Sequence, residues 1–277
     1  MRLKNRWFSS LSPAVLFCLL ICYSGRVVAS DSLLITNMRV QIEATEALNN
    51  MYNFKFRRAH TEYNWLKQKY PQHPLAYFLM GLNEWWQIMP NLDDETHDDA
   101  FLAYMDTAIM KAKNLYDIEL TKIEGAFFLA ASNGFKARLY SERKKWLKAA
   151  SHANRALKCL DDCRSKSELS PELLFGDALY NYFSVWIPEN YPQLRPFLIM
   201  FSKGDKQKGL DQLKEVAHNA FYTRVEAQYW LMRILFAEES DYQGALHESE
   251  YLYEAFPDNA YFQRYYARLL FQTGRYA

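Results

Sequence analysis

The chain has 277 residues, of which 50% are hydrophobic and 16% aromatic, so it can bury the core of one elongated domain or of two small ones. Nine Gly and nine Pro are too few for a many-stranded β protein, which needs a turn residue about every 8–12 positions. The 33 basic and 32 acidic residues are balanced, which argues against the clustered basic surface of a nucleic-acid-binding protein.

Residues 1–29 have the pattern of a secretory signal peptide. Three basic side chains begin the segment, an apolar stretch from Leu11 to Tyr23 follows, and the small residue Ala29 ends it. The stretch is shorter than the roughly 20 residues that span a bilayer. The alternative is an uncleaved N-terminal anchor.

The cysteines of this segment do not fit a lipidation site. Cys18 follows Phe17 and Cys22 follows Ile21, whereas a bacterial lipoprotein carries a small residue before its lipidated Cys. Cleavage after residue 29 leaves 29 basic and 32 acidic residues, a net charge of −3. We therefore expect an exported, non-lipidated protein without a stable membrane span.

One pattern recurs along the chain and begins with an aromatic residue. A small residue follows three positions later, and apolar or small residues follow seven and ten positions after the aromatic residue. The three copies are Phe56, Ala59, Tyr63 and Leu66; Trp146, Ala149, Ala153 and Ala156; and Tyr242, Ala245, Ser249 and Leu252. Pro71 and Pro257 follow the first and third copies. Such spacings place residues on one helical face, and Pro ends a helix. Each copy predicts a helix that a neighbouring helix can approach closely.

Segments rich in apolar and aromatic residues predict a further set of helices. Each would be the first helix of a helical hairpin whose second helix carries the recurring pattern. The segments are Tyr77–Gly81, Leu173–Gly176 and Tyr229–Phe236. The sequence therefore predicts a series of helical hairpins.

The acidic segment Asn91–Asp99 has oxygen-bearing side chains at alternate positions, as calcium loops do. However, Thr96 stands where such a loop has Gly, and Leu102 stands where it has Glu. We interpret the segment as a solvated loop that leads into a helix over 99–115, because acidic residues favour helix N-termini.

His152, Cys159 and Cys163 lie on one stripe of a predicted helix. Three such ligands could hold Zn²⁺ only if a fourth came from elsewhere, and none lies nearby in sequence. A disulfide between the two cysteines would close almost no loop and add little stability. We interpret the three residues as packing residues and predict no metal site.

An insertion over 186–204 carries Pro188, Pro192 and Pro196, which predict that no helix forms there. The apolar run 197–201 that follows is either buried across the face of the helical array or exposed as an interaction surface. Burial is the favoured interpretation.

The combined pattern resembles the tetratricopeptide repeat (TPR) family, whose unit has 34 residues in two helices. The resemblance implies an all-α fold, a right-handed α-solenoid of TPR helical hairpins over 30–277. The repeats fall at about 40–73, 74–118, 119–163, 169–222, 226–259 and 260–277. The last shows only a first helix, from Tyr261 to Thr273, and a turn at Gly274. We expect about five and a half repeats and a chain truncated at its C-terminus.

TPR arrays bind partners in a concave groove lined by the first helix of each repeat. The resemblance assigns to this groove Met51, Tyr52, Trp85, Trp86, Asp177, Tyr180, Asn181, Trp230, Glu238, Arg264 and Arg268. Aromatic residues and Arg are common anchors of interfaces. Two adjacent Trp are not expected to point into one core, so binding and structural roles stay equally open for Trp85 and Trp86. For the other residues a structural role is favoured.

The sequence contains no nucleophile elbow, P-loop, dinucleotide-binding fingerprint or zinc-protease motif. It therefore predicts no catalytic residues, no metal and no cofactor. We expect an exported TPR scaffold in the periplasm or cell envelope that binds another protein or peptide, and no nucleic acid. The alternative is a glycan-binding or nutrient-binding surface protein in which Trp85 and Trp86 stack on sugar rings. A third and less favoured hypothesis is that the protein is an enzyme whose active site matches no recognisable motif.

Overall fold

The computed structural model describes residues 33–192, 195 and 202–275. Within these ranges the regular structure is entirely helical, with eleven α-helices, three short 3₁₀ segments and no strand. The predicted all-α class is therefore confirmed for the described part of the chain. The predicted signal peptide at 1–29 and the apolar run 197–201 lie outside the described residues.

The helices follow one another through short connections. They are α1 (Met38–Tyr52), α2 (Phe56–Lys69), α3 (Pro74–Ile88), α4 (Asp98–Tyr116), α5 (Lys122–Glu142), α6 (Trp146–Ser165), α7 (Leu174–Asn190), α8 (Lys206–Asn219), α9 (Arg224–Ala237), α10 (Tyr242–Ala255) and α11 (Ala260–Gln272). Each helix packs against the next one in the chain, except that α6 and α7 hardly touch.

Three helices begin at the aromatic residue that was predicted to start them, namely Phe56 in α2, Trp146 in α6 and Tyr242 in α10. The prolines after α2 and α10 follow closely on the last helical residue, as expected for a residue that cannot continue a helix. At the end of α11, Gly274 adopts a φ of 71°, a left-handed conformation that Gly tolerates well.

The expectation that the prolines of the insertion prevent a helix is wrong for Pro188. Helix α7 continues through this residue and ends at Asn190. Pro188 stands in the last turn, so it removes only one hydrogen bond near the helix end. The Tyr191 N–H then donates to the Ile187 carbonyl at 2.8 Å and completes the turn.

Trp85 and Trp86 both lie fully buried in one hydrophobic core, so the expectation that adjacent Trp cannot share a core is wrong. The reason is that α3 is covered on two sides. Trp85 packs against Phe101 of α4 and Phe135 of α5, with ring centroids 5.7 Å away in each case. Trp86 packs against helices that come from both ends of the chain.

The first helix pair is in direct contact with the last helices. The Asn259 side chain, before α11, donates to the Tyr52 carbonyl at 2.8 Å. The ring of Tyr52 lies 5.3 Å from that of Phe256, and Lys55 forms an ion pair with Asp258 at 3.1 Å. These contacts join residues about two hundred positions apart, which local repeat packing does not require.

Candidate functional site

An apolar cleft of about 1310 Å³ opens between α5, α6 and α7. Its lining side chains are mostly Ala, Leu and Phe from these helices, with Trp230 of α9 and residues before α8 as additional walls. Cavities of this kind, mostly apolar with a few polar groups, are where proteins most often hold ligands.

Among the described residues, α6 does not have the helix neighbour that α2 and α10 have, and the cleft opens on this side of α6. In α2 and α10 the positions three, seven and ten after the starting aromatic residue are fully buried: Ala59, Tyr63, Leu66, Ala245, Ser249 and Leu252. Helix α3 packs onto α2, and α11 packs onto α10. The equivalent residues of α6, Ala149, Ala153 and Ala156, are only partly buried, because α7 hardly touches α6.

Two large apolar side chains at the start of α6 are exposed in this cleft. Trp146 is 64% exposed and Leu147 is 90% exposed, and both line the cleft. Leu120 is similarly exposed, at 87%, but lies outside the cleft. Clustered exposed apolar surface is characteristic of interaction sites, whereas a single exposed Leu needs no explanation.

A second, smaller cavity of about 380 Å³ lies between α5, α7 and α9, and we call it the charged cavity. Its lining consists of Arg138, Ser141, Glu142, Phe183, Trp186, Trp230, Arg233, Ile234 and Glu238. Arg138, Ser141, Phe183 and Trp230 also line the apolar cleft, so the two spaces adjoin.

Two guanidinium groups of the charged cavity converge on one phenol oxygen. Arg138 Nη2 donates to the Tyr229 hydroxyl at 3.0 Å, and Arg233 Nη1 donates to it at 3.3 Å. Burial would raise the pKa of Tyr229, but Arg138 and Arg233 outweigh burial, so the pKa of this phenol is lowered.

Six of the eleven predicted groove residues are buried in the fold: Met51, Tyr52, Trp85, Trp86, Asp177 and Asn181. The side chains of Trp86, Asp177 and Asn181 form hydrogen bonds inside the fold. The Trp86 indole N–H donates to Glu226 at 2.7 Å, and Asp177 accepts from Gln212 at 2.8 Å. Because Trp85 and Trp86 have no exposed surface, they offer no ring face to a sugar, and the glycan hypothesis loses the residues it rested on.

The other five predicted groove residues have accessible surface. Tyr180 lines the apolar cleft, Glu238 lines the charged cavity, and Trp230 lines both. Arg264 and Arg268 are exposed on α11, where each guanidinium lies over a tyrosine ring at 5.4 Å and 6.0 Å. For these five the binding role stays a prediction.

Sequence reasoning did not find Leu147, Arg138 or Arg233 as site residues. Trp146 was recognised only as the start of a helix. The exposure of α6 arises because no helix of the described ranges covers it, and the repeat pattern does not encode this feature. The available signal was the apolar Leu147 beside Trp146 at the first turn, where a solvated helix would carry polar residues.

The candidate metal ligands have other partners. His152 Nδ1 lies 2.8 Å from the Asn133 side-chain oxygen, and burial lowers the pKa of His152 to about 4. Cys159 and Cys163 are buried free thiols. In the described ranges no group of three or more His, Cys, Asp or Glu side chains is arranged to hold a metal ion.

The acidic segment after α3 is a loop, and Arg143 anchors it to α5. Arg143 donates to both carboxylate oxygens of Asp98, at 2.7 and 2.8 Å, and to the Asp94 carbonyl at 3.1 Å. Asp94 in turn accepts from the Thr96 N–H at 2.9 Å.

None of the helices in the described ranges combines the length and hydrophobicity of a membrane-spanning segment. Comparisons of the chain with protein-family models, with curated proteins and with solved structures find no match. The candidate sites are therefore interpreted from their own geometry.

Proposed function

We propose that this chain is a non-catalytic scaffold of helical hairpins, of the TPR type and with right-handed superhelical packing, that binds an apolar helical segment of another protein in the apolar cleft. The observation that carries the proposal is the partial exposure of Ala149, Ala153 and Ala156. Their equivalents in α2 and α10 are each covered by a helix of the same chain. In the part of the chain that the structure describes, no helix covers this face of α6, and its apolar surface fits one more helix.

The small side chains of α6 support a helical occupant. Alanine lets a helix backbone approach closely, and residues three, four and seven apart on α6 present one continuous face. Trp146 and Leu147 at the first turn supply the large side chains that commonly anchor an interface.

The proposed setting is the periplasm or cell envelope, after cleavage of the signal peptide at 1–29. No cofactor, metal or nucleic acid enters the proposal, because binding rests on apolar packing alone.

Site-specific photo-crosslinking tests the proposal. A photoreactive phenylalanine analogue replaces Leu147 in one full-length protein and Leu120 in a matched control with a similarly exposed position. We expect position 147 to crosslink to a defined apolar segment of one other protein in envelope extract, and position 120 to give no such adduct. Peptide mapping of the adduct identifies the segment.

Two further variants link the adduct to the cleft. Leu147→Asp places a charge on the apolar surface and should abolish co-purification of the crosslinked partner, whereas Leu120→Asp should retain it. The proposal fails if both variants retain the partner, or if position 147 crosslinks only to a second copy or to another part of the same chain.

A further inference from the structure

The charged cavity carries side chains of both signs. Arg138 and Glu142 come from α5, Arg233 comes from α9, and Glu238 directly follows α9. Among the described residues, none of these four forms a salt bridge with any other residue. Partly buried charges are normally paired, because removal from water is costly unless a partner replaces the solvent.

Among the described residues, neither arginine forms a direct salt bridge with a carboxylate. Both donate to the Tyr229 hydroxyl, and Arg138 donates one further hydrogen bond, to the sulfur of Met89 at 3.5 Å. The second terminal nitrogen of Arg138 is buried and has no hydrogen-bond partner. Two adjacent guanidinium groups with free donors can bind a carboxylate through several charge-assisted hydrogen bonds.

The two glutamates provide the opposite charge on the same cavity. Glu142 is exposed and Glu238 is partly exposed, so both can meet a ligand at the surface. Burial raises the pKa of Glu238, although Arg233 lowers it.

Aromatic rings form the remaining walls. Phe183 packs edge-on against Trp230 at 5.5 Å and against Trp186 at 6.0 Å. Arg138 lies 4.6 Å from the Trp230 ring and Arg233 lies 5.7 Å from it, so this ring holds both guanidinium groups in place. The volume of about 380 Å³ is within the range of small-molecule sites, about 300–1,000 Å³.

We propose that the charged cavity binds a small zwitterion with an aromatic or large apolar body, as in an aromatic α-amino acid. Its carboxylate binds Arg138 and Arg233, its ammonium group faces Glu142 and Glu238, and its side chain packs on Phe183, Trp186 and Trp230. This binding activity goes beyond the proposed scaffold function and does not depend on it.

Calorimetric titration of the full-length protein with three matched compounds tests the proposal. L-phenylalanine carries both charges, N-acetyl-L-phenylalanine lacks the ammonium group, and L-phenylalaninamide lacks the carboxylate. We expect saturable binding of L-phenylalanine, and binding about tenfold or more weaker for each derivative, because each loses a charge-assisted contact. The dipeptide L-alanyl-L-phenylalanine distinguishes a free amino acid from a short peptide as the source of the zwitterion.

Single substitutions assign the two ends of the ligand. Arg233→Gln should remove discrimination between L-phenylalanine and its amide, and Glu238→Gln should reduce discrimination against the N-acetyl derivative. Arg57→Gln and Glu250→Gln, at exposed positions outside the cavity, should leave binding unchanged. Circular dichroism confirms that each variant is folded.

The proposal is overturned if neither L-phenylalanine nor the dipeptide binds saturably. It is also overturned if L-phenylalanine binds Arg233→Gln and Glu238→Gln as tightly as the unsubstituted protein. Because these titrations use no protein partner, their outcome is independent of the crosslinking at position 147.

Discussion

Glu226 is a buried carboxylate on α9, between α1 and α3. Its Oε1 accepts from the Trp86 indole N–H at 2.7 Å, and its other oxygen is buried without a partner. Burial raises the pKa of Glu226 from its ordinary 4.5 to about 7, against the opposing effect of Arg138. The folded chain therefore holds a proton here that the unfolded chain releases at lower pH.

This proton predicts how stability depends on pH. Between pH 4.5 and about 7 the folded state binds more protons at Glu226 than the unfolded state, so stability falls as the pH rises through this window. The loss is on the order of 3 kcal/mol. In Glu226→Gln, which keeps an acceptor for Trp86, this contribution should disappear.

Urea unfolding of the unsubstituted protein and of Glu226→Gln at pH 5 and pH 8 measures the effect. The change in unfolding free energy between the two pH values is compared for the two proteins. Glu250→Gln, at an exposed position, serves as the control and should behave as the unsubstituted protein. Equal pH dependence in Glu226→Gln and the unsubstituted chain would contradict the assignment.

Helix α8 packs on α7 through a glycine. A Cβ at Gly209 would lie 2.7 Å from the backbone nitrogen of Tyr182 and 2.8 Å from the Ala178 carbonyl oxygen. Both are backbone atoms of α7, so a Cβ would require the two helices to move apart. Gly134 of α5 offers a contrast, since a Cβ there would meet nothing within 4 Å.

The two glycines predict opposite outcomes for the same substitution. Gly209→Ala should destabilise the chain by about 1–3 kcal/mol because it separates α7 from α8. Gly134→Ala should stabilise it by about 0.5–1 kcal/mol, because Ala favours the helix more than Gly does. Thermal unfolding followed by circular dichroism distinguishes the two signs, and destabilisation of similar size in both would contradict the packing argument.

Helices were predictable from the sequence because their causes are local. An aromatic residue with small residues on the same face located the first residue of α2, α6 and α10. The exposure of α6 was not predictable from the local sequence. Ala149 and Ala59 have the same position in the pattern, but a neighbouring helix buries Ala59, whereas Ala149 stays partly exposed. The repeat pattern could therefore place helices but not the cleft between them.

Contacts between distant parts of the chain explain why Trp86, a predicted groove residue, is buried. Trp86 packs on Tyr52, Tyr229 and Phe262, with ring centroids between 5.2 and 5.6 Å away. A repeat pattern specifies only neighbours in sequence, so a first-helix residue looks as if it faces an open groove. Long-range packing of this kind decides whether an inner-face side chain is available to a partner.

Asn259 allows this contact between the first and last helices to be tested separately from helix capping. Its Oδ1 accepts from the Tyr261 and Phe262 N–H groups, while its Nδ2 donates to the Tyr52 carbonyl. Asn259→Asp keeps the capping acceptor but removes the donor, leaving a buried carbonyl opposite a carboxylate. We expect a loss of about 1–3 kcal/mol.

Hydrogen exchange locates the effect of Asn259→Asp. Amides at the end of α1 and the start of α11 should both lose protection, although more than two hundred residues separate them in sequence. The exposed substitution Asn154→Asp is the control. Loss of protection confined to α11 would indicate a capping effect only.

The contact between Tyr52 and Asn259 also constrains how this protein can change in evolution. An open repeat array can gain or lose hairpins by duplication or deletion, because each unit depends only on its neighbours. Here a hairpin inserted between α2 and α10 would shift the C-terminal helices relative to α1. Tyr52, Lys55 and Trp86 would then lose their contacts with these helices. Selection for these contacts therefore fixes the number of hairpins, and variation is expected in loop length and surface residues instead.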